Sequence, residues 1–370
     1  MVLISVVALV ILLIGWVGYP VIINLLARWR PPIGGGPGSA TPKVSVVVAT
    51  RDDPIVVARR AQNILETEYR LDCLELIVAV DAGSSWPVEK YRKALQEDVV
   101  VVPGDDSGGK ASALNAGVRA AGGEMVVFAD SHQSFAPDTI PLLVQYLGDR
   151  RFGAVSGTLA LDREHYGRTV LGLWWEFELF LRRSEAAIHS LVGVTGAVYC
   201  IRRSLWTPLP RDLICDDLFV PLNLAMHGQR VGHCEAAHAF DPRKLGRHEE
   251  FRRRVRTLTG ILQLCAWYPS ILVPWRNPVW AQFVCHKLLR VATPYLVLLV
   301  VVGLIPWLAR TPGTWLATAS LVLLIVSLGL FIVAPSKARK LGSQVLWAAR
   351  LHGAPVKASF NALRGRWDVW

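Results

Sequence analysis

Short apolar runs alternating with helix-patterned stretches between residues 43 and 250 predict an α/β domain on a doubly wound, mostly parallel sheet. Two further observations frame that domain. Val2 to Ala27 carries no charge and is long enough to cross a bilayer, and Leu288 to Leu308 and Trp315 to Ala334 are two later apolar runs joined by Ala309-Arg310-Thr311-Pro312-Gly313. With 52% hydrophobic residues, the 370-residue chain is too apolar for an ordinary soluble enzyme, as expected for membrane spans beside a folded domain.

The first run lacks a basic n-region and an A-x-A-like cleavage site, so it reads as an uncleaved anchor over residues 1–30. A Pro/Gly/Ser linker from Pro31 to Pro42 leads to the α/β domain at 43–250. Residues 251–287, rich in Trp and broken by Pro269, Pro274 and Pro278, read as interfacial helices; 288–334 read as a transmembrane hairpin and 335–370 as an amphipathic tail. Arg28, Arg30, Lys287, Arg290, Lys337, Arg339 and Lys340 fall on one side if the α/β domain is cytoplasmic, which predicts a multi-pass protein of the cell membrane. The formal charge of +11 then faces anionic membrane lipid, and no aromatic-basic interleaving points to nucleic acid. Six scattered cysteines without a C-x-x-C pair indicate neither a zinc site nor a disulfide framework.

Within the domain, Lys43 to Ala49 has the continuous apolar character of a strand buried on both faces, and Ile55 to Leu65 follows as a helix. Leu74 to Val80 and Val99 to Val102 read as the next strands. Ala111 to Ala121 is a helix stopped by Gly122-Gly123, and Met125 to Ala129 is a buried strand. Phe152 to Leu161 reads as a strand and Leu171 to Ile188 as a long aromatic helix. Gly193 to Cys200 is small enough for backbone to approach a ligand, and Leu218 to Met226 is a helix headed by Asp216-Asp217.

Chemistry-bearing residues gather at the strand ends, where ligands of open α/β sheets collect. Asp130 and His132 could grip a divalent cation together, although an Asx-type turn yields the same triplet. Asp81 could accept from a base or ribose, or simply shape a turn. Gly104 to Lys110 fits half a phosphate-binding loop, but Ala111 supplies no hydroxyl for magnesium and Asp105 and Asp106 would repel phosphate, which excludes an ATPase of that type. The helix dipole favours ionised Asp216 or Asp217, one of which could accept a proton; an N-cap pair is the plain alternative. Four arginines in Phe251 to Thr257 suit diphosphate oxygens or lipid headgroups. His238 is a further candidate ligand or a packed histidine.

Taken in order, KVSVVVATRD, IVAVDAGS, GKASALNAG, FADSH, CDDLFVPLNLAMHGQRV and RRVRTLTG resemble the motifs of the membrane-bound family 2 glycosyltransferases, the group containing cellulose, chitin and hyaluronan synthases. The likeness covers almost the whole chain. It implies a nucleotide-diphospho-sugar transferase (GT-A) fold in which Asp81 and Asp130 contact the nucleotide and Asp130 with His132 holds Mn2+ or Mg2+. Asp217, with Asp216 beside it, would be the catalytic base, and Arg253 and Arg256 would bind the diphosphate or close over it. Thr50, Asp52, Lys110 and Asn115 of the same motifs would also lie on the nucleotide sugar. The chain departs from the pattern at Ala82, at His132 in place of the second acid of D-x-D, and at Thr257 in place of Trp.

The expected activity is inverting transfer from a nucleotide diphosphate sugar, a UDP-sugar in the first instance, to a saccharide or lipid-linked acceptor at the cytoplasmic membrane face, with self-association left open. The alternative is a catalytically silent membrane scaffold that keeps the fold, suggested by Ala82 and His132.

Overall fold

The computed structural model describes residues 2–30, 41–105, 108–161, 169–243, 246–308, 313, 346–347 and 350–367. The Pro31–Ala40 stretch of the linker, Asp106 and Ser107, and the Trp315–Ala334 run lie outside the described residues.

Four strands form the parallel half of the sheet: β1 (Val44–Thr50), β2 (Leu74–Val80), β3 (Val100–Pro103) and β4 (Met125–Ala129). The other half holds β5 (Ser134–Phe135), β6 (Phe152–Leu161), β7 (Val198–Arg202) and β8 (Arg230–Asp241), and the eight strands run β3-β2-β1-β4-β7-β6-β8-β5. β7 is antiparallel to both neighbours, which makes the sheet mixed while leaving it mostly parallel.

The alternating pleat of β1 explains its apolar continuity. Val47 packs with helices α4 (Lys110–Ala120), α7 (Asp216–Met226) and α8 (Arg247–Trp267) on one face. Val46 and Val48 pack on the other face with α2 (Pro54–Leu65), α3 (Val88–Ala94) and α5 (Thr139–Leu147). Both layers are therefore needed to cover the sheet, and the long helix α6 (Val170–Ile188) adds Ala186 to the first. Every strand and helix read from sequence in this domain is present within a residue or two; α3, β5, α5, β7 and most of β8 were not foreseen. β7 occupies part of the segment read as flexible, because Val198 pairs with Ala129 and Arg202 with Met125. That pairing makes β7 start where β4 ends, so the Gly193–Ala197 loop arrives beside Asp130.

Two described helices are long and apolar enough to cross a membrane: α1 (Leu3–Arg28) and α9 (Trp280–Gly303). They lie side by side, with Ser5 Oγ donating to Leu299 O at 2.9 Å and Trp16 Nε1 to Thr293 Oγ1 at 3.1 Å. Leu3, Ile4, Leu13, Ile14, Val17 and Ile22 of α1 remain exposed, an apolar surface of the kind that marks a membrane or partner contact. Both helices contain a π-helical turn, Ile14–Gly18 and Phe283–Leu288, and these two turns touch.

Within the segment read as interfacial, a long helix packs on the α/β domain. α8 begins at Arg247, capped by Glu249 accepting from Gly246 N at 3.2 Å, and buries Val255, Leu258, Ile261 and Leu264 against the α/β domain. Its apolar face is thereby occupied by protein. α9 starts at Trp280, earlier than the predicted Leu288, since no proline interrupts the chain after Pro278 until the span is under way. In the tail, α10 (Gly353–Leu363) sets Ala354 and Ala358 on α8 and leaves Val356, Phe360 and Leu363 exposed. All six cysteines are free thiols.

α8 reaches the Ile214–Cys215 turn through Gly260, where an added Cβ would lie 3.0 Å from Ile214 Cγ2 and 3.2 Å from Cys215 Cβ. Gly260→Val is accordingly expected to lose about 1–3 kcal/mol of stability by overpacking, read as a lower thermal midpoint in detergent.

Candidate active site

The site begins with a loop and a lysine. Gly108 and Gly109 adopt φ of 69° and 88°, a region open to glycine, and turn the chain so that Lys110 becomes the first residue of α4. Asp81, at the end of β2, holds this turn: its Oδ1 accepts from Gly83 N at 2.9 Å and from Gly109 N at 2.8 Å. The backbone amide that a phosphate-binding loop would offer is therefore already engaged by a carboxylate. Lys110 points instead across the sheet edge, with Nζ donating to Asp130 Oδ1 at 3.0 Å and lying 3.8 Å from Asp216 Oδ2.

Three carboxylates surround that ammonium. Burial works to raise the Asp130 carboxyl, but Lys110, with Arg253 and Arg243 farther off, holds it below its ordinary value. Burial likewise opposes the Lys110 charge, and Asp130, Asp216 and Asp217 outweigh it and push its pKa up. Asp216 is 7% exposed; burial pushes its carboxyl up to about 6, Lys110 pulling it down while Asp217 and Asp130 push it further up. Asp217 is half-buried and sits in the first turn of α7. A Cβ on Gly196 would lie 3.6 Å from both Asp217 Cβ and Lys110 Nζ, so the small residue keeps the space between them open. Tyr199, stacked on Phe128 with ring centroids 4.5 Å apart, buries its hydroxyl under the same carboxylates.

The remaining sequence candidates fall into two groups. Thr50, Asp52 and His132 line the same edge: Ser131 Oγ donates to Thr50 Oγ1 at 2.8 Å, Asp52 N donates to Thr50 Oγ1 at 3.0 Å, and His132 Nε2 lies 3.3 Å from Asp52 Oδ1. Arg253 is exposed on α8 and acts on Asp130 through space, whereas Arg256, one helical turn on, acts on Cys215. Asn115 turns away from the edge, its Nδ2 donating to Leu209 O at 2.9 Å and its Oδ1 accepting from Leu209 N at 2.8 Å. That amide pins the 205–215 segment that delivers the Asp216-Asp217 pair. His238 lies on β8 at a register position opposite Thr158.

Two arginines escaped the sequence reading. Arg60 is 2% exposed, donates through Nε to Asp130 O at 3.1 Å and stacks 4.0 Å above the Phe135 ring; burial brings its guanidinium down to about 9, against the pull of Asp130. Arg243 grips Asp241 through Nε at 2.9 Å and a second guanidinium nitrogen at 2.8 Å, close enough to feel Asp130 and Asp52. An arginine in the middle of a helix pattern gives no hint that it will face a strand end, but D-P-R directly after a strand is a readable turn signal.

Among the described residues no group of three or more His, Cys, Asp or Glu is arranged to hold a metal ion. The donors at this edge, one carboxylate at Asp130 about a third exposed and one imidazole at His132 equally so, fit a different case. A hard cation that keeps its waters and arrives with substrate phosphates needs no more than one or two protein ligands.

Residues 45–207 match the family model described as glycosyl transferase family 2. Among solved structures, the chain is similar to the mannosyltransferase PcManGT from Pyrobaculum calidifontis in complex with GDP-Man and Mn2+, with 22% identity, 97% of this chain and 99% of that chain covered, and a TM-score of 0.70. It is also similar to S. aureus TarS 1–349 in complex with UDP-GlcNAc, at 15% identity over 60% of this chain and 66% of that chain with a TM-score of 0.41. A third is glucosyl-3-phosphoglycerate synthase from Mycobacterium tuberculosis in complex with Mn2+, UDP and glucosyl-3-phosphoglycerate, at 17% identity over 66% and 82% with a TM-score of 0.42. No curated protein matches the sequence. The sheet and its flanking helices have the GT-A glycosyltransferase fold.

The raised Asp216 carboxyl has a consequence for stability. A folded-state pKa above the unfolded value contributes stability that is complete below about pH 4 and lost as pH rises through about 6. Asp216→Asn removes that dependence, so the variant is expected to be flatter between pH 4 and 6 and to gain on the wild type by about 2–3 kcal/mol near neutral pH, measured by thermal or chemical unfolding across that range.

Proposed function

We propose that this protein is a membrane-held inverting glycosyltransferase that moves a sugar from a nucleotide diphosphate donor to a saccharide or lipid-linked acceptor. The observation that carries the reading is Lys110 held among Asp130, Asp216 and Asp217 at the end of the central strand. Asp217 is the base: it is the less buried of the adjacent pair and stands beside Gly196, which places no side chain against it. Its carboxylate takes the acceptor hydroxyl proton as the oxygen bonds to the anomeric carbon, and the bond to the diphosphate breaks with its electron pair leaving on the phosphate oxygen. One carboxylate suffices for inversion, a proton transfer typically contributing ~10²- to 10⁴-fold.

Charge building on the departing diphosphate meets Lys110, Arg243 and Arg253, whose fields already converge on Asp130. Asp130 and His132 would hold a divalent cation, which when bound supplies positive charge for the phosphate oxygens. Asp81 acts here chiefly by holding the Gly108–Lys110 turn in place. α1 and α9 would seat the domain on the cytoplasmic face of the cell membrane, with α10 presenting Val356, Phe360 and Leu363 to the lipid surface.

Donor class is tested by incubating detergent-solubilised protein with UDP-sugars and, because the similar mannosyltransferase was solved with it, GDP-mannose. Asp217→Asn is expected to bind donor as the wild type does and to lose turnover by at least ~10²-fold; full turnover in that variant would remove Asp217 from its role. His132→Ala should weaken the response of donor binding to added manganese. Absence of any nucleotide-induced thermal stabilisation would favour the silent scaffold instead.

A further inference from the structure

A second polar cluster lies away from the donor site, where α6 meets the two apolar helices. Glu178 of α6 is the hub: Arg182 Nε lies 3.0 Å away, His286 Nε2 2.9 Å, Lys287 Nζ 3.0 Å and an Arg290 guanidinium nitrogen 2.8 Å. Glu185, a further two turns along, takes His286 Nδ1 at 2.8 Å and the Tyr19 hydroxyl at 2.6 Å. Ionisable residues in a membrane-spanning helix are costly and point to function when their placement is specific.

The cluster sits at the bilayer boundary by length. The helical run that begins at Trp280 continues to Leu308, and only its part after Arg290, Val291–Leu308, carries no charge; at ~1.5 Å per residue those 18 residues span ~27 Å, about the thickness of a hydrocarbon core. Arg290 is thus at the water edge of the span. Beside it, Trp174 packs on Trp16 with centroids 5.5 Å apart, and two guanidinium groups lie over the Trp174 ring, Arg290 at 4.7 Å and Arg254 at 5.0 Å. Among the described residues Arg254 has no carboxylate within ion-pair distance. Burial lowers its pKa, and repulsion from Arg290 outweighs the attraction of Glu250 one turn back.

Two neighbouring guanidinium groups in a half-buried aromatic setting, one of them without a paired acid, make a site for an anion with several oxygens. Its place decides which anion. The site borders the two apolar helices, since Trp174 packs on Trp16 of α1 and Arg290 belongs to α9, while Arg253, the next residue back on α8, acts on Asp130, and Lys287 Cε lies 3.7 Å from where a Cβ on Gly193 would stand, at the head of the loop that reaches Asp217.

We propose that Arg254 and Arg290, over Trp174, bind the phosphate of a lipid phosphate acceptor whose chain lies in the bilayer along α1 and α9. The proposal rests on the glycosyltransferase reading and names its acceptor class. A phosphate on a long apolar chain satisfies both the surplus charge and the exposed apolar flank of the two helices.

The test uses the full chain in phosphatidylcholine nanodiscs, with tryptophan fluorescence read against added farnesyl phosphate, farnesol or phosphatidylglycerol. Farnesyl phosphate is expected to give a saturable change that Arg254→Gln weakens about tenfold or more and Arg254→Lys largely restores, while farnesol and phosphatidylglycerol give none. Equal binding by Arg254→Gln, or an equal response to farnesol, overturns the site. A response to phosphatidylglycerol matching that to farnesyl phosphate reduces it to a contact with the bulk bilayer and also overturns the acceptor assignment. Donor nucleotide binding, followed in parallel, confirms that Arg254→Gln is folded; its loss in the wild type sinks the glycosyltransferase reading, whereas loss of the farnesyl phosphate response alone sinks the acceptor site.

Discussion

The arrangement at the sheet edge depends on one ammonium group. Asp130 follows β4 and the Asp216-Asp217 pair heads α7, and three acids brought together in a partly desolvated cleft would repel one another and take up protons. Lys110, set at the first turn of α4, offsets that repulsion and lets Asp130 remain an anion even though burial opposes it. Asp216 shows what lies beyond the reach of that compensation. At 3.8 Å from the lysine and deeply buried, its carboxyl is displaced to about 6.

Placing that lysine requires the rest of the domain. Asp81 closes the glycine turn that starts α4, and Arg60 fixes the backbone of Asp130 from the opposite layer. On the far side, α8 clamps the approach to Asp216 through Gln263, whose Oε1 accepts from Ile214 N at 2.9 Å and whose Nε2 donates to Asp212 O at 2.9 Å. Asp212 has φ of 62°, an uncommon conformation for a residue with a side chain, and this pair of hydrogen bonds holds the turn that contains it. The same helix carries Arg253 toward the donor edge and Arg254 toward the apolar helices. A single helix therefore links the acidic sheet edge to the two apolar helices, and the Glu178 hub ties α6 to α9 beside it.

Much of this was legible in order along the chain. Buried strands of a parallel sheet read as unbroken apolar runs, so β1, β2 and β4 stood out, and the acids at their ends followed from where such strands stop. Helix α4 and its leading lysine were legible from small, helix-forming residues after two glycines. Less legible were β7 and β5: one follows a glycine-rich loop that resembles a flexible segment, and the other is two residues long. Asn115 had the position of a ligand-binding residue in a motif, yet its amide is fully engaged by the Leu209 backbone.

What the amino-acid order determined by itself was the alternation of strand and helix, the apolar segments, and which acids end which strands, because these follow from local periodicity and from charge excluded from apolar runs. What the tertiary structure alone decided was company. Lys110 meets Asp130 across 20 positions, Arg60 reaches it across 70, and Glu178 gathers His286 and Lys287 from more than 100 positions away. Such contacts arise from strand order, from the reversal of β7 and from the packing of α8 and α9, and a carboxylate's ionisation depends on exactly those distant neighbours and on the water they exclude.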